Sequence, residues 1–110
     1  AWYWGHEHKC VLYDAHPAWG LLGRCVGHGG FPAFRKDVPG GGGSATRFLR
    51  VDPKNLVPGG QVLDGPNPFI SGREADYGAH GFVTLEFDGA HLNEVVRDAS
   101  GSQLLATPLA

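Results

Sequence analysis

The residues best suited to chemistry in this sequence are two histidines, His6 and His8, which flank Glu7 directly after an aromatic run. If the backbone is extended here, residues i and i+2 lie on the same face, so the two imidazoles would project together while Glu7 points away. Neutral imidazole nitrogens are common metal ligands, so the pair could share one ion or bind one ion each of a close pair. The same spacing also fits two polar residues on an ordinary half-exposed strand.

Three segments, taken in order, extend this pattern: Trp4-Gly5-His6-Glu7-His8, then Leu12-Tyr13, then Gly27-His28-Gly29-Gly30-Phe31-Pro32. Together they resemble the C-terminal part of calcineurin-like metallophosphoesterases, whose last metal-binding block reads Gly-His-x-His after a buried strand. The resemblance implies a di-metal centre of Mn, Fe or Zn ions, with His6 binding one ion and His8 the other. It also implies a hydrolase that acts on phosphate esters.

The other metal-binding blocks of that family have no counterpart in this sequence. The family pattern places an Asp-x-His, a Gly-Asp-x-x-Asp, a Gly-Asn-His and a further histidine before the Gly-His-x-His block, whereas here that block begins at Gly5. We therefore expect the chain to be the C-terminal portion of a longer phosphoesterase and to be inactive by itself.

Two further residues are candidates for substrate binding. His28 lies between glycines in a loop that ends a predicted strand, where a backbone can approach a ligand closely, although it could equally be a loop histidine bonded to the backbone. Arg35 follows the same Gly-rich loop and could donate two hydrogen bonds to a phosphate.

Two alternatives to the di-metal enzyme stay open: a non-catalytic β module with a vestigial histidine pair, and a mononuclear zinc site completed by His28 or Asp14.

Composition limits the partners of the chain. A net charge of -2 over 110 residues, with the basic residues scattered, gives no electrostatic case for binding nucleic acid. No apolar run approaches the roughly 20 residues of a membrane span, and the first residues do not form a signal segment. We expect a soluble, cytoplasmic chain whose two cysteines, Cys10 and Cys25, are reduced.

The hydrophobic pattern predicts a mainly β fold of antiparallel strands and hairpins with long Gly/Pro-rich loops. The resemblance implies that these strands form part of a metallophosphoesterase β-sandwich. Within one domain of residues 1–110, residues 1–36 would carry the metal block and the Gly-rich loop, residues 37–78 would be irregular, and residues 79–110 would form a β-hairpin meander. The predicted strands are residues 1–4, 9–13, 21–26, 82–87, 92–97 and 103–106.

Gly40 to Ser44 is either a natural surface loop or an engineered linker. Because several of these strands are apolar enough to need covering, we expect the chain to self-associate.

Overall fold

A computed structural model describes all residues from Ala1 to Ala110 and contains eight β-strands and one short 3-10 helix at Arg35–Asp37. The strands are β1 (Trp2–Trp4), β2 (Cys10–Ala15), β3 (Leu22–Val26), β4 (Arg47–Val51), β5 (Gly60–Asp64), β6 (Gly81–Asp88), β7 (His91–Asp98) and β8 (Gln103–Pro108). The mainly β class with antiparallel hairpins is therefore confirmed. No helix in the structure is long and apolar enough to cross a lipid bilayer.

The strands form two sheets. The first has the order β1-β3-β2-β5-β4, in which β1 runs parallel to β3 and every other pair is antiparallel. The second is the antiparallel meander β6-β7-β8, in which Val83 lies opposite Val96 and Val95 lies opposite Ala106. This meander confirms the arrangement predicted for residues 79–110.

The two sheets pack face to face through a small apolar core. Cys10 and Leu12 of β2 and Leu63 of β5 meet Val96 of β7, and all four are buried. Because side chains alternate along a strand, Val11 points to the opposite face of the five-stranded sheet, where it packs with Cys25 and Val62. The chain thus covers one face of its larger sheet with its own second sheet, and both cysteines are free and buried as predicted.

The prediction that residues 37–78 are irregular was wrong, because β4 and β5 lie within them. Glycines and prolines on either side of these strands produced the loop prediction. In the structure Gly60 begins β5 and lies between β2 and β4, opposite Tyr13 and Val51. A Cβ on Gly60 would lie 2.5 Å from the carbonyl oxygen of Leu12, so this glycine permits a close strand approach within the sheet.

The first strand lies where the sequence predicts one, but it is not fully buried. β1 is the edge strand of its sheet, and Trp2 remains 64% exposed. Tyr3 points from this strand toward the second sheet, where its hydroxyl donates a hydrogen bond to Glu94. Trp4, on the other face, packs beside the cluster of Val11, Cys25 and Val62.

Candidate metal site

The two histidines lie in a loop at the edge of the five-stranded sheet where β1 and β3 both end. These two strands are parallel, with Trp4 opposite Cys25, so their carboxyl ends meet at the same edge. Residues 5–9 follow β1 and residues 27–31 follow β3, which brings the two glycine-containing segments of the sequence side by side. We call residues 5–9 the histidine loop.

Backbone contacts fix the histidine loop against the end of β3. The amide of Lys9 donates to the Glu7 carbonyl at 2.8 Å, and the amide of Gly27 donates to the Lys9 carbonyl at 3.0 Å. A Cβ on Gly27 would lie less than 3.0 Å from the carbonyl oxygens of both Gly5 and Glu7. Only glycine at position 27 allows the two segments to pack this closely.

Glu7 turns back toward the sheet. The indole Nε1 of Trp4 donates a 2.6 Å hydrogen bond to Glu7 Oε2, and Cys25 Sγ lies 3.6 Å from the same oxygen. The pKa of Glu7 is lowered, first by its own backbone amide and then by the Trp4 indole. Glu7 therefore anchors the loop to β1 and β3.

The extended backbone assumed for His6 and His8 was wrong. Residues 6–9 form bends, and the Lys9-to-Glu7 hydrogen bond closes a tight turn, so strand alternation does not orient the two rings. Both histidines are exposed, and the ring of His8 packs against that of Phe31 with centroids 5.0 Å apart. Among the six histidines of the chain, hydrogen bonds involve only the rings of His16 and His80.

His28 is enclosed behind the histidine loop. It is 2% exposed, and neither ring nitrogen has a hydrogen-bond partner. Burial lowers the pKa of its imidazole to about 4, with a smaller contribution from His80. His28 and His8 line the same cavity of about 20 Å³, which is large enough for one water molecule. His28 is thus adjacent to the histidine loop but buried.

Arg35 is engaged in a buried ion pair. Its Nε and one terminal nitrogen donate to the two carboxylate oxygens of Asp64 at 2.9 and 3.0 Å. Its remaining contacts are with the carbonyls of Gly43 at 2.8 Å and Ala75 at 3.3 Å. The hydrogen bonds that Arg35 donates to the Asp64 carboxylate raise the pKa of the guanidinium further. All three guanidinium nitrogens of Arg35 therefore donate hydrogen bonds within the protein, and these bonds join β5 to the segments around residues 43 and 75.

The residues present do not make up a complete metal site. A catalytic zinc site uses three protein ligands and keeps one position open. The structure has no group of three or more His, Cys, Asp or Glu side chains placed to hold an ion. His6 and His8 are exposed and their rings have no hydrogen-bond partner, whereas Asp14, considered above as a third ligand, pairs with Arg50.

Two features of the structure were missed in the sequence. One is the buried contact of Arg24 with Glu94, for which the only signal was a lone acid in the apolar run of β7. The other is a cavity lined by Trp2, Trp4 and Tyr13. Its signal was the alternation of β1, which places Trp2 and Trp4 on one face.

Comparison with known proteins gives no relative: no protein-family model, no curated protein and no solved structure matches this chain.

Proposed function

We propose that this chain is the C-terminal portion of a metal-dependent phosphoesterase and that His6 and His8 donate two ligands to its di-metal centre. The observation that carries the proposal is the histidine loop itself. Two exposed imidazoles without hydrogen-bond partners stand on a loop that is fixed by Gly27 and by the Trp4-to-Glu7 hydrogen bond. A loop held this rigidly can present ligands without a large cost in conformational entropy on binding.

The chemistry would be hydrolysis of a phosphate ester. When bound, two divalent ions polarise the phosphoryl oxygens and generate a hydroxide nucleophile at neutral pH. In this chain His6 and His8 would hold the ions, and Glu7 would orient the loop through Trp4 rather than bind metal. His28 and Arg35, proposed from the sequence to contact substrate, are buried, so we assign them to the support of the loop and of the segments behind it.

The other ligands would come from residues outside these 110. We therefore expect the reading frame before Ala1 to encode Asp, Asn and His ligand blocks. The longer protein should hydrolyse phosphate esters in the presence of Mn²⁺ or Zn²⁺, and His6→Ala/His8→Ala should abolish that activity. A reading frame without such blocks, or a longer protein whose activity survives the double substitution, would overturn the proposal.

The chain by itself offers a complementary test. Two imidazoles should bind Zn²⁺ or Mn²⁺ weakly, and hydrolysis of 4-nitrophenyl phosphate should not exceed that of the His6→Ala/His8→Ala variant. Isothermal titration calorimetry would measure the binding, with His91→Ala as the control, because His91 is an exposed histidine on the second sheet. Metal binding that is unchanged in the double variant but lost in His91→Ala would contradict the assignment.

The second candidate is a non-catalytic β module with a mononuclear or vestigial metal site. The lack of a third ligand beside His6 and His8 is the observation that favours the vestigial form of this candidate. One ion per chain at a stoichiometric, tight site in the isolated 110 residues would support this candidate. Weak binding here, with two ions in the longer protein, would support the phosphoesterase.

A further inference from the structure

A cavity of about 450 Å³ lies on the face of the five-stranded sheet that the second sheet leaves uncovered. Its volume falls in the range of small-molecule sites, roughly 300–1,000 Å³. Trp2 and Trp4 of β1 and Tyr13 of β2 supply its aromatic wall, and Leu56 and Pro58 of the loop before β5 also line it. Of these side chains the proposed phosphoesterase site uses only Trp4, whose indole N–H anchors the histidine loop through Glu7. We call this cavity the aromatic cage.

The sheet positions the rings of the cage. Trp4 and Tyr13 stack with their centroids 5.9 Å apart and their planes 15° from parallel. They meet above Gly23 of β3, where a Cβ would lie 3.2 Å from Trp4 Cη2 and 3.4 Å from Tyr13 Cδ2. Gly23 therefore allows the rings to lie close to the backbone. Trp2, two residues before Trp4, adds a third aromatic side chain on the same face of β1.

No cationic side chain lines the cage. Asp14 is the only residue of the lining that carries a formal charge at neutral pH, and no lysine or arginine is among the lining residues. Arg50 pairs with Asp14 and largely balances its charge. On the opposite side, the Trp4 indole donates to the Glu7 carboxylate at 2.6 Å, which places a negative charge at the edge of the ring. The negative π face of Trp4 is thereby strengthened as a partner for a cation.

We propose that the aromatic cage binds a small organic cation with a quaternary ammonium head, of the choline class. Such a head cannot donate hydrogen bonds and is attracted to the faces of tryptophan and tyrosine rings, which matches a wall of three aromatic side chains with few polar groups. An anion would find no cationic donor in this lining. The cage lies on the face of β1 that carries Trp2 and Trp4, and it does not use His6 or His8. Failure of the phosphoesterase proposal would therefore leave this proposal unaffected, and the reverse also holds.

The test compares choline with its neutral carbon isostere, 3,3-dimethylbutan-1-ol, on the full 110-residue chain without metal. Binding is followed by the indole N–H signals in ¹H–¹⁵N NMR spectra. Choline should shift the Trp2 and Trp4 signals in a saturable way, leave Trp19 unshifted, and bind about tenfold more tightly than the isostere. Equal affinity of the two compounds, or no shift at about 100 mM choline, would overturn the proposal.

Matched tryptophan variants locate the site. Trp2→Leu removes a cage wall at an exposed position, 64% exposed, where the fold should survive. Trp19→Leu is the control, because Trp19 is 76% exposed and does not itself line the cage, although it stacks on His16, which does. Trp2→Leu should weaken choline binding about fivefold or more, within the range of one cation–π contact, and Trp19→Leu should leave it unchanged. The reverse result, or equal loss in both variants, would exclude the cage as the site. His6→Ala/His8→Ala should bind choline like the parent chain.

Discussion

Arg24 of β3 and Glu94 of β7 join the two sheets through the interior of the protein. Arg24 Nε lies 3.0 and 2.9 Å from the two carboxylate oxygens of Glu94, and the side chains of both residues are buried. Arg24 also donates to the Tyr13 carbonyl at 2.7 Å, and Tyr3 donates its hydroxyl to the same carboxylate. Burial, followed by this hydrogen bond to Glu94, raises the pKa of Tyr3. The buried carboxylate of Glu94 therefore connects β7 of the second sheet to β1 and β3 of the first.

The first prediction is that Glu94→Ala is far more destabilising than the loss of a surface acid. Removing Glu94 leaves the Arg24 guanidinium buried without its partner, and such a change typically costs about 3–5 kcal/mol. Glu86→Ala is the control, because Glu86 forms an exposed ion pair with Arg97 on the same sheet and should cost about 1 kcal/mol or less. Urea unfolding followed by circular dichroism measures both. Equal costs would show that the buried pair does not stabilise the contact between sheets.

A second prediction concerns Arg35, which the sequence suggested as a phosphate ligand. Arg35→Lys keeps the positive charge but cannot reproduce the two-pronged contact with Asp64 or the bonds to Gly43 and Ala75. We expect the free energy of unfolding to fall by about 2–4 kcal/mol. Arg73→Lys, at an exposed arginine paired with Asp76, should change it by less than about 0.5 kcal/mol. If Arg35→Lys is as stable as the parent chain, the structural role of Arg35 is contradicted and Arg35 is again a candidate for binding substrate.

Several elements could be predicted from sequence because their own residues determine them. In β6 and β7 apolar and polar residues alternate around the Asp88-Gly89 turn, which is sufficient to define a hairpin. β4 and β5 could not be recognised in this way. β5 begins at Gly60 and ends at Asp64, and each is suited to a strand only because of a distant partner: Leu12 beside Gly60, and Arg35 beside Asp64.

The candidate site was predicted in part for a similar reason. The types and spacing of His6 and His8 identify the histidine loop, but its conformation depends on contacts with Gly27 that a linear pattern does not contain. The burial of His28 likewise depends on Gly81 of β6, whose missing side chain leaves room for the ring. Pairings between residues far apart in the chain had no local signal.

The third prediction tests the fit between the histidine loop and the end of β3. Gly27→Ala forces a methyl group against the carbonyls of Gly5 and Glu7, and overpacking of this kind costs about 1–3 kcal/mol. Gly30→Ala is the matched control, since a Cβ there meets no atom within 4 Å. Thermal unfolding compares the two variants. If both melt like the parent chain, the histidine loop is not fixed by Gly27.

The fourth prediction is that the chain self-associates, as the sequence suggested. β1 leaves one edge of its sheet unpaired, with Trp2 exposed beside it, and an open apolar edge favours pairing with another strand. Sedimentation velocity at micromolar concentrations should show a concentration-dependent dimer. Trp2→Lys should shift the equilibrium toward monomer, whereas Phe69→Lys, at an exposed loop position, should not. A monomer at all concentrations would contradict this prediction.

The final prediction concerns acid and His28. The pKa of this imidazole is about 4 in the folded protein because burial disfavours its charged form, compared with 6.5 for a histidine in water. Between these values the unfolded chain binds a proton that the folded chain does not, so the free energy of unfolding should fall as the pH falls from 6.5 to about 4. The loss should be on the order of 3 kcal/mol over this interval, and above pH 6.5 His28 should contribute no pH dependence.

His28→Gln should remove this part of the slope, and His16→Gln, at a less buried histidine, should retain it. Because His28→Gln could also disturb packing, NMR titration of the His28 ring in chelator-treated protein gives the direct measurement. A ring that titrates near 6.5 would show that His28 is open to solvent and would remove the basis for this acid sensitivity.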